Sequence, residues 1–124
     1  MSIKELKIED FDKGLPYVPK NIGNACAVLF KMNGCHWCED QKKVFDNMNK
    51  YIGFMTFYTF TVNDNGKNSA HWEKIKKSIK NSNDLDGFPI TMLYSTSGKV
   101  VVLPGFEEEK DLKKRMVEFC EQNK

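Results

Sequence analysis

The stretch Cys35-His36-Trp37-Cys38 has the residue types and spacing to do redox chemistry. Two thiols three residues apart sit one turn from each other on a helix, within reach of a disulfide. Just ahead of them, Asn33-Gly34 is tight-turn chemistry that closes the apolar run Ala25 to Met32, ACAVLFKM. From Trp37 onward the apolar residues Trp37, Val44, Phe45, Met48 and Ile52 recur at helical spacing, with Glu39, Asp40, Lys42, Lys43 and Asp46 on the other face. The pair therefore falls where a buried strand ends and a helix begins. Unpaired N–H groups and the positive end of the dipole favour thiolate over thiol there. Spacing alone is a weak signal, because the six pairs that four cysteines form give a separation of three by chance with odds of roughly one in ten. Position is what adds weight.

Other uses of these side chains stay open at this level. Cys35 and Cys38 would be inert thiols if the site lacked that electrostatic setting. A zinc ion held by Cys35, His36, Cys38 and a distant ligand is a further reading, but neither His71 nor Cys120 has a companion at ligand spacing, so no metal is expected. Cys26, in the apolar run, and Cys120, on the apolar face of the last helix, read as small core residues. His71 and Trp72 read as helix surface and helix core, and Lys74-Ile75-Lys76-Lys77 as a solvated face.

The elements that must position the pair follow from periodicity. ACAVLFKM reads as a strand buried on both faces. Phe54 to Val62 alternates threonine with aromatics and reads as a second strand. After the turn Asn63-Asp64-Asn65-Gly66, Ser69 is the expected N-cap of a helix carrying Trp72, Ile75 and Ile79 on one face. Asn81 to Gly87 is a loop. Ile90 to Ser95 and Lys99 to Leu103 flank Thr96-Ser97-Gly98 as an antiparallel hairpin. A last amphipathic helix runs from about Glu107 to Glu121, burying Leu112, Met116, Phe119 and Cys120, with Glu107, Glu108 and Glu109 at its positive end. A right-handed crossover would make the first two strands parallel, and the hairpin adds an antiparallel edge. The expectation is a three-layer α/β/α sandwich with a mixed central sheet. It forms a single domain over residues 1–124, with 1–24 as a less defined N-terminal segment.

At this point the chain resembles the thioredoxin-like superfamily over about Ala25 to Glu121. The Cys35-x-x-Cys38 motif after ACAVLF, the segment Gly87-Phe88-Pro89-Ile90-Thr91 and the hairpin Leu93 to Gly105 carry the resemblance. It implies a thiol–disulfide oxidoreductase in which Cys35 is the nucleophile and Cys38 resolves the mixed disulfide. It also implies that Pro89 is cis and lies against the dithiol, and that Phe88, Gly105 and Phe106 form a substrate groove where a substrate strand pairs beside Pro89. His36 and Trp37 would tune the redox couple: an imidazolium favours the thiolate, Glu39 and Asp40 oppose it, and Trp37 serves as a substrate platform or a shield. The sequence departs from thioredoxins in four places. The motif reads HW where thioredoxins have GP and glutaredoxins PY, Gly34 replaces a tryptophan, Leu29 stands where thioredoxins bury an aspartate that serves the resolving cysteine, and the loop and helix between Val62 and Phe88 are longer than in a minimal thioredoxin. A glutaredoxin-like, glutathione-linked reductase is the rival enzyme, although no Gly-Gly or basic residue beside the motif supplies its site. A non-enzymatic interaction or zinc module on the same fold is the rival from another class.

Composition bounds the rest. At 124 residues the chain is one domain long and buries about two-thirds of its unfolded surface, enough for a core without a metal or disulfide. With 40% hydrophobic and 29% charged residues it is neither disordered nor fibrous. A net charge of +2 is too small for an electrostatic nucleic-acid binder. Four cysteines are too few for a disulfide-framed secreted domain, and neither a signal peptide nor a membrane span is visible. The expectation is a cytoplasmic monomer without a cofactor. It would act on disulfide-containing protein substrates with an unidentified reductant or oxidant partner, and not on nucleic acid or membrane. Arg115 is the sole arginine against many lysines, and Asn is abundant, which hints at an AT-rich coding genome, as in some large DNA viruses and protozoa.

Overall fold

In the computed structural model, which describes residues 2–20, 23–79, 85 and 87–123, the elements run in this order. Strand β1 (Lys4–Glu5), a 3-10 turn (Ile8–Asp10) and strands β2 (Phe11–Asp12) and β3 (Val18–Pro19) come first. They are followed by β4 (Cys26–Lys31), α1 (His36–Asn49), β5 (Thr56–Thr61), α2 (Gly66–Lys77), β6 (Ile90–Tyr94), β7 (Val100–Pro104) and α3 (Glu109–Gln122). Five strands form one sheet in the order β1-β5-β4-β6-β7, while β2 and β3 pair separately as an antiparallel ribbon. β4 is parallel to β5 and antiparallel to β6, and β6 is antiparallel to β7, so the sheet is mixed as expected.

Strand β4 takes the central place and, like β6 beside it, is buried on both faces. Alternate residues feed two cores. Val28 and Phe30 point with Phe60, Ile90, Met92 and Tyr94 toward Trp72 and Ile75 of α2. Ala27 and Leu29 point with Phe57, Leu93 and Leu103 toward Phe45 and Met48 of α1 and Leu112, Met116 and Phe119 of α3. The sheet is thus sandwiched between α2 on one side and α1 with α3 on the other, the three-layer α/β/α arrangement expected from the sequence. Each large side chain fully buried here stabilises by about 1.5–3 kcal/mol, so the two faces of β4 anchor both layers.

Four expectations need correction or a limit. Asn65, not Ser69, caps α2: its Oδ1 accepts the Asn68 N–H at 2.8 Å, while the Ser69 hydroxyl donates to the Val62 carbonyl at 3.1 Å. His71 is not on the surface. It is 5% exposed, beneath the rings of Phe11, Tyr17 and Phe60, because the N-terminal segment folds over α2. Trp37 is not part of the buried stripe of α1, which consists of Cys38, Gln41, Phe45 and Met48. Of the Asn81 to Gly87 loop, all but Leu85 and Gly87 lies outside the described residues; Leu85 is buried in the α2-side core. The N-terminal segment also adds what periodicity did not show. Two-residue β1 pairs parallel with Tyr58 and Thr59 at the edge, too short to register as a pattern.

Candidate active site

Strand β4 delivers the chain into a turn at Asn33-Gly34, and α1 starts two residues later. Gly34 has φ +83°, a left-handed conformation that glycine adopts without steric strain. The turn is braced from β5's end by Asn63, whose Oδ1 accepts the Asn33 N–H at 2.7 Å and whose Nδ2 donates to the Asn33 carbonyl at 3.3 Å. The sequence marked Asn63 only as a turn residue.

Cys35 is the N-cap of α1, with extended backbone and its Sγ accepting the Cys38 N–H at 3.2 Å. The sulfur therefore occupies the place of a capping oxygen, one of the few that meets an unpaired helix N–H. Such a donor, with the helix dipole behind it, stabilises negative charge on that sulfur. Cys35 and Cys38 form a disulfide across a Cα–Cα distance of 5.2 Å. Their accessibility differs: Cys35 is half-buried, whereas Cys38 is 1% exposed. Cys35 is the sulfur a second molecule can reach.

The other residues singled out in the sequence converge on this pair. The Phe88 carbonyl oxygen stands 3.9 Å from the Cys35 Sγ, and the Phe88–Pro89 peptide bond is cis. Pro89 is buried, and its carbonyl accepts the Gly105 N–H at 2.9 Å, which ties the end of β7 to the start of β6. Gly105, with φ +80°, turns the chain toward α3 and presents Phe106, whose ring centroid lies 5.5 Å from that of Trp37. Trp37 is 57% exposed, a large apolar surface beside the disulfide. His36 is exposed too; its Nε2 faces Asp40 Oδ2 at 3.3 Å and its ring meets Trp37 edge-on at 5.9 Å. Leu29 is buried in the α1-side core.

Two features were not read from the sequence. The fully buried Gln41, one turn along α1 from Trp37, bonds the backbone of Glu107 through both amide atoms. A cavity of about 350 Å³ opens beside Cys38, bordered by Lys31, Gly34, Lys42 and Lys43. Basic side chains do therefore stand near the motif, brought there by the strand and by the outer face of α1. Two of them are engaged, since Lys42 pairs with Asp46 at 2.9 Å and Lys43 lies 3.9 Å from Asp40. Among the described residues no cluster of three or more His, Cys, Asp or Glu is placed to hold a metal ion, and no helix is long and apolar enough to cross a membrane.

A mixed five-stranded sheet between helical layers, with a cysteine pair at the start of the first long helix, is the thioredoxin-like fold. Comparison with solved structures agrees. A chloroplastic thioredoxin z superposes with a TM-score of 0.67 at 10% identity, covering 95% of this chain and 94% of that one. The thioredoxin of Fasciola hepatica gives a TM-score of 0.60 at 17% identity over 85% and 86% of the two chains. A variant thioredoxin from Halobacterium salinarum gives 0.60 at 14% identity over 78% and 75%. No protein-family model matches the sequence, and no curated protein matches it by sequence.

Proposed function

We propose that this chain, acting as one domain and as a monomer in a reducing, cytosolic compartment, catalyses thiol–disulfide exchange on protein substrates through Cys35 and Cys38, without a bound cofactor. The observation that carries the reading is the Cys35 sulfur at the N-cap of α1, bonded to the Cys38 N–H and 3.9 Å from the Phe88 carbonyl. In the reducing direction the Cys35 thiolate attacks one sulfur of a substrate disulfide, forming a mixed disulfide and expelling a substrate thiolate. That thiolate takes the proton of Cys38. The Cys38 thiolate then attacks the Cys35 sulfur, expelling the second substrate thiolate, which is protonated from water. The substrate gains two electrons and two protons, and the protein is left with its Cys35–Cys38 disulfide for a separate reductant to reopen. Phe88, Pro89, Gly105 and Phe106 form the groove, where an extended substrate segment pairs with the Phe88 backbone. Trp37 is the platform beside it. His36 and Glu39, in the first turn, and Asp40, just beyond it, set the redox poise by opposing charge.

A glutathione-linked reading draws on the lysine-bordered cavity beside Cys38. It predicts glutathione-dependent turnover of small mixed disulfides, which the proposed mechanism does not require.

The deciding experiment is a glutathione redox titration with thiols counted by mass, beside insulin reduction by Cys35→Ser and Cys38→Ser. A potential near about −270 mV would mark a reductase, and one near about −180 mV an oxidant or isomerase. Cys35→Ser should abolish turnover, and Cys38→Ser should accumulate mixed disulfides. If no intramolecular disulfide forms at any poise, or turnover persists in both variants, the reading fails.

A further inference from the structure

The buried face of α1 consists of Cys38, Gln41, Phe45 and Met48, and the amide of Gln41 is out of place in an otherwise apolar stripe. A fully buried amide is costly unless both of its ends are bonded. Here both are, and to one residue outside the helix: Nε2 donates to the Glu107 carbonyl at 3.0 Å and Oε1 accepts the Glu107 N–H at 2.7 Å. Glu107 closes the segment that leaves β7, and the other end of that segment is pinned by the Gly105 N–H on the Pro89 carbonyl at 2.9 Å. Phe106 lies between the two anchors. Trp37 lies one turn before Gln41 on the same side of the helix, so a clamp at Glu107 delivers the Phe106 ring to Trp37, 5.5 Å away.

We propose that Gln41 is a positioning residue for substrate: its two-point clamp on Glu107 holds Phe106 against Trp37 and so builds the wall of the groove beside Cys35. The inference rests on the reading that this groove receives protein disulfides. The clamp serves the binding of a large substrate and leaves the chemistry at sulfur unchanged. Gln41→Met keeps the length and removes both hydrogen bonds. Gln41→Glu keeps the acceptor for the Glu107 N–H and removes the donor.

With dithiothreitol as reductant, either variant should raise KM for insulin roughly fivefold while kcat stays within about twofold. The rate on bis(2-hydroxyethyl) disulfide, too small to fill the groove, should stay within about twofold. Acrylamide quenching should rise as well. It reports Trp37 selectively, since Trp72 is only 3% exposed. If Gln41→Met does not fold, Gln41→Glu carries the same readouts. A folded variant with unchanged insulin KM and unchanged quenching overturns the proposal, as does an equal loss on both substrates, which would make Gln41 a support of the dithiol itself. A wild-type protein that reduces neither substrate sinks the oxidoreductase reading instead, and quenching alone then judges whether Gln41 places Phe106 on Trp37.

Discussion

Cys26, Cys35, Cys38 and Cys120 carry one side chain into four settings. Cys26 is fully buried in β4, and loss of hydration pushes its thiol up to about 12. Cys120 is half-buried on α3 and its thiol is raised for the same reason. Cys35 alone combines access with an N–H donor to its sulfur. Alkylation of the freshly reduced native protein with iodoacetamide near neutral pH should therefore label Cys35 first. Cys120 should follow slowly, and Cys26 only after denaturant is added. Peptide mapping over time checks this order, and early labelling of Cys26 would contradict it. Burial of Cys26 was legible because it stands in an unbroken apolar run. Burial of His71 was not, because the rings that cover it belong to Phe11 and Tyr17, far away in sequence.

Helix α2 shows what separates a cap from a near neighbour of one. Asn65 and Ser69 are both good capping types four residues apart, and propensity does not choose between them. The choice follows from where β5 ends: Asn68 Nδ2 donates to the Thr61 carbonyl at 2.8 Å and Ser69 to the Val62 carbonyl, which fixes the first turn against the strand and leaves Asn65 as the cap. Asn65→Ala should cost about 1 kcal/mol, a drop of about 4 °C in Tm. Ser69→Ala should cost less, and calorimetry on the two variants would show the reverse order if Ser69 were the cap. A similar lesson holds for α1. Periodicity placed the helix correctly but put Trp37 on its buried face. In the first turn the ring contacts of Trp37 are His36 and Phe106, so the residue stays more than half exposed.

Across the whole molecule, the N-terminal segment closes over α2 and makes a buried histidine. The Nε2 of His71 has no hydrogen-bond partner among the described residues. Desolvation chiefly, with help from Lys74 and Lys13, holds its pKa below the usual value. The charged form is thus favoured in the unfolded chain. Above about pH 6.5 the imidazole is neutral in both states and its full contribution to stability is present. As pH falls below that value the unfolded chain takes up the proton first, and stability declines until the folded-state pKa is passed. Urea midpoints should therefore fall between pH 7.5 and pH 5.5, and His71→Phe should shrink that difference. An unchanged pH dependence in the variant would place its cause elsewhere.

The residue pattern by itself determined the order of the main elements, the both-sides-buried strand at the centre and the CxxC pair at a strand-to-helix junction. Each of these is a local matter of periodicity, turn chemistry and spacing. Tertiary structure decided what meets the pair. The backbone of Phe88 comes from 53 residues away to stand beside Cys35, Glu107 comes from 66 residues away to Gln41, and three lysines of β4 and α1 border one cavity. No window along the chain holds such contacts, because they depend on the register of β4 with β6 and on the docking of α3 against α1. Those are products of sheet pairing and core packing, in which every face must find its partner at once.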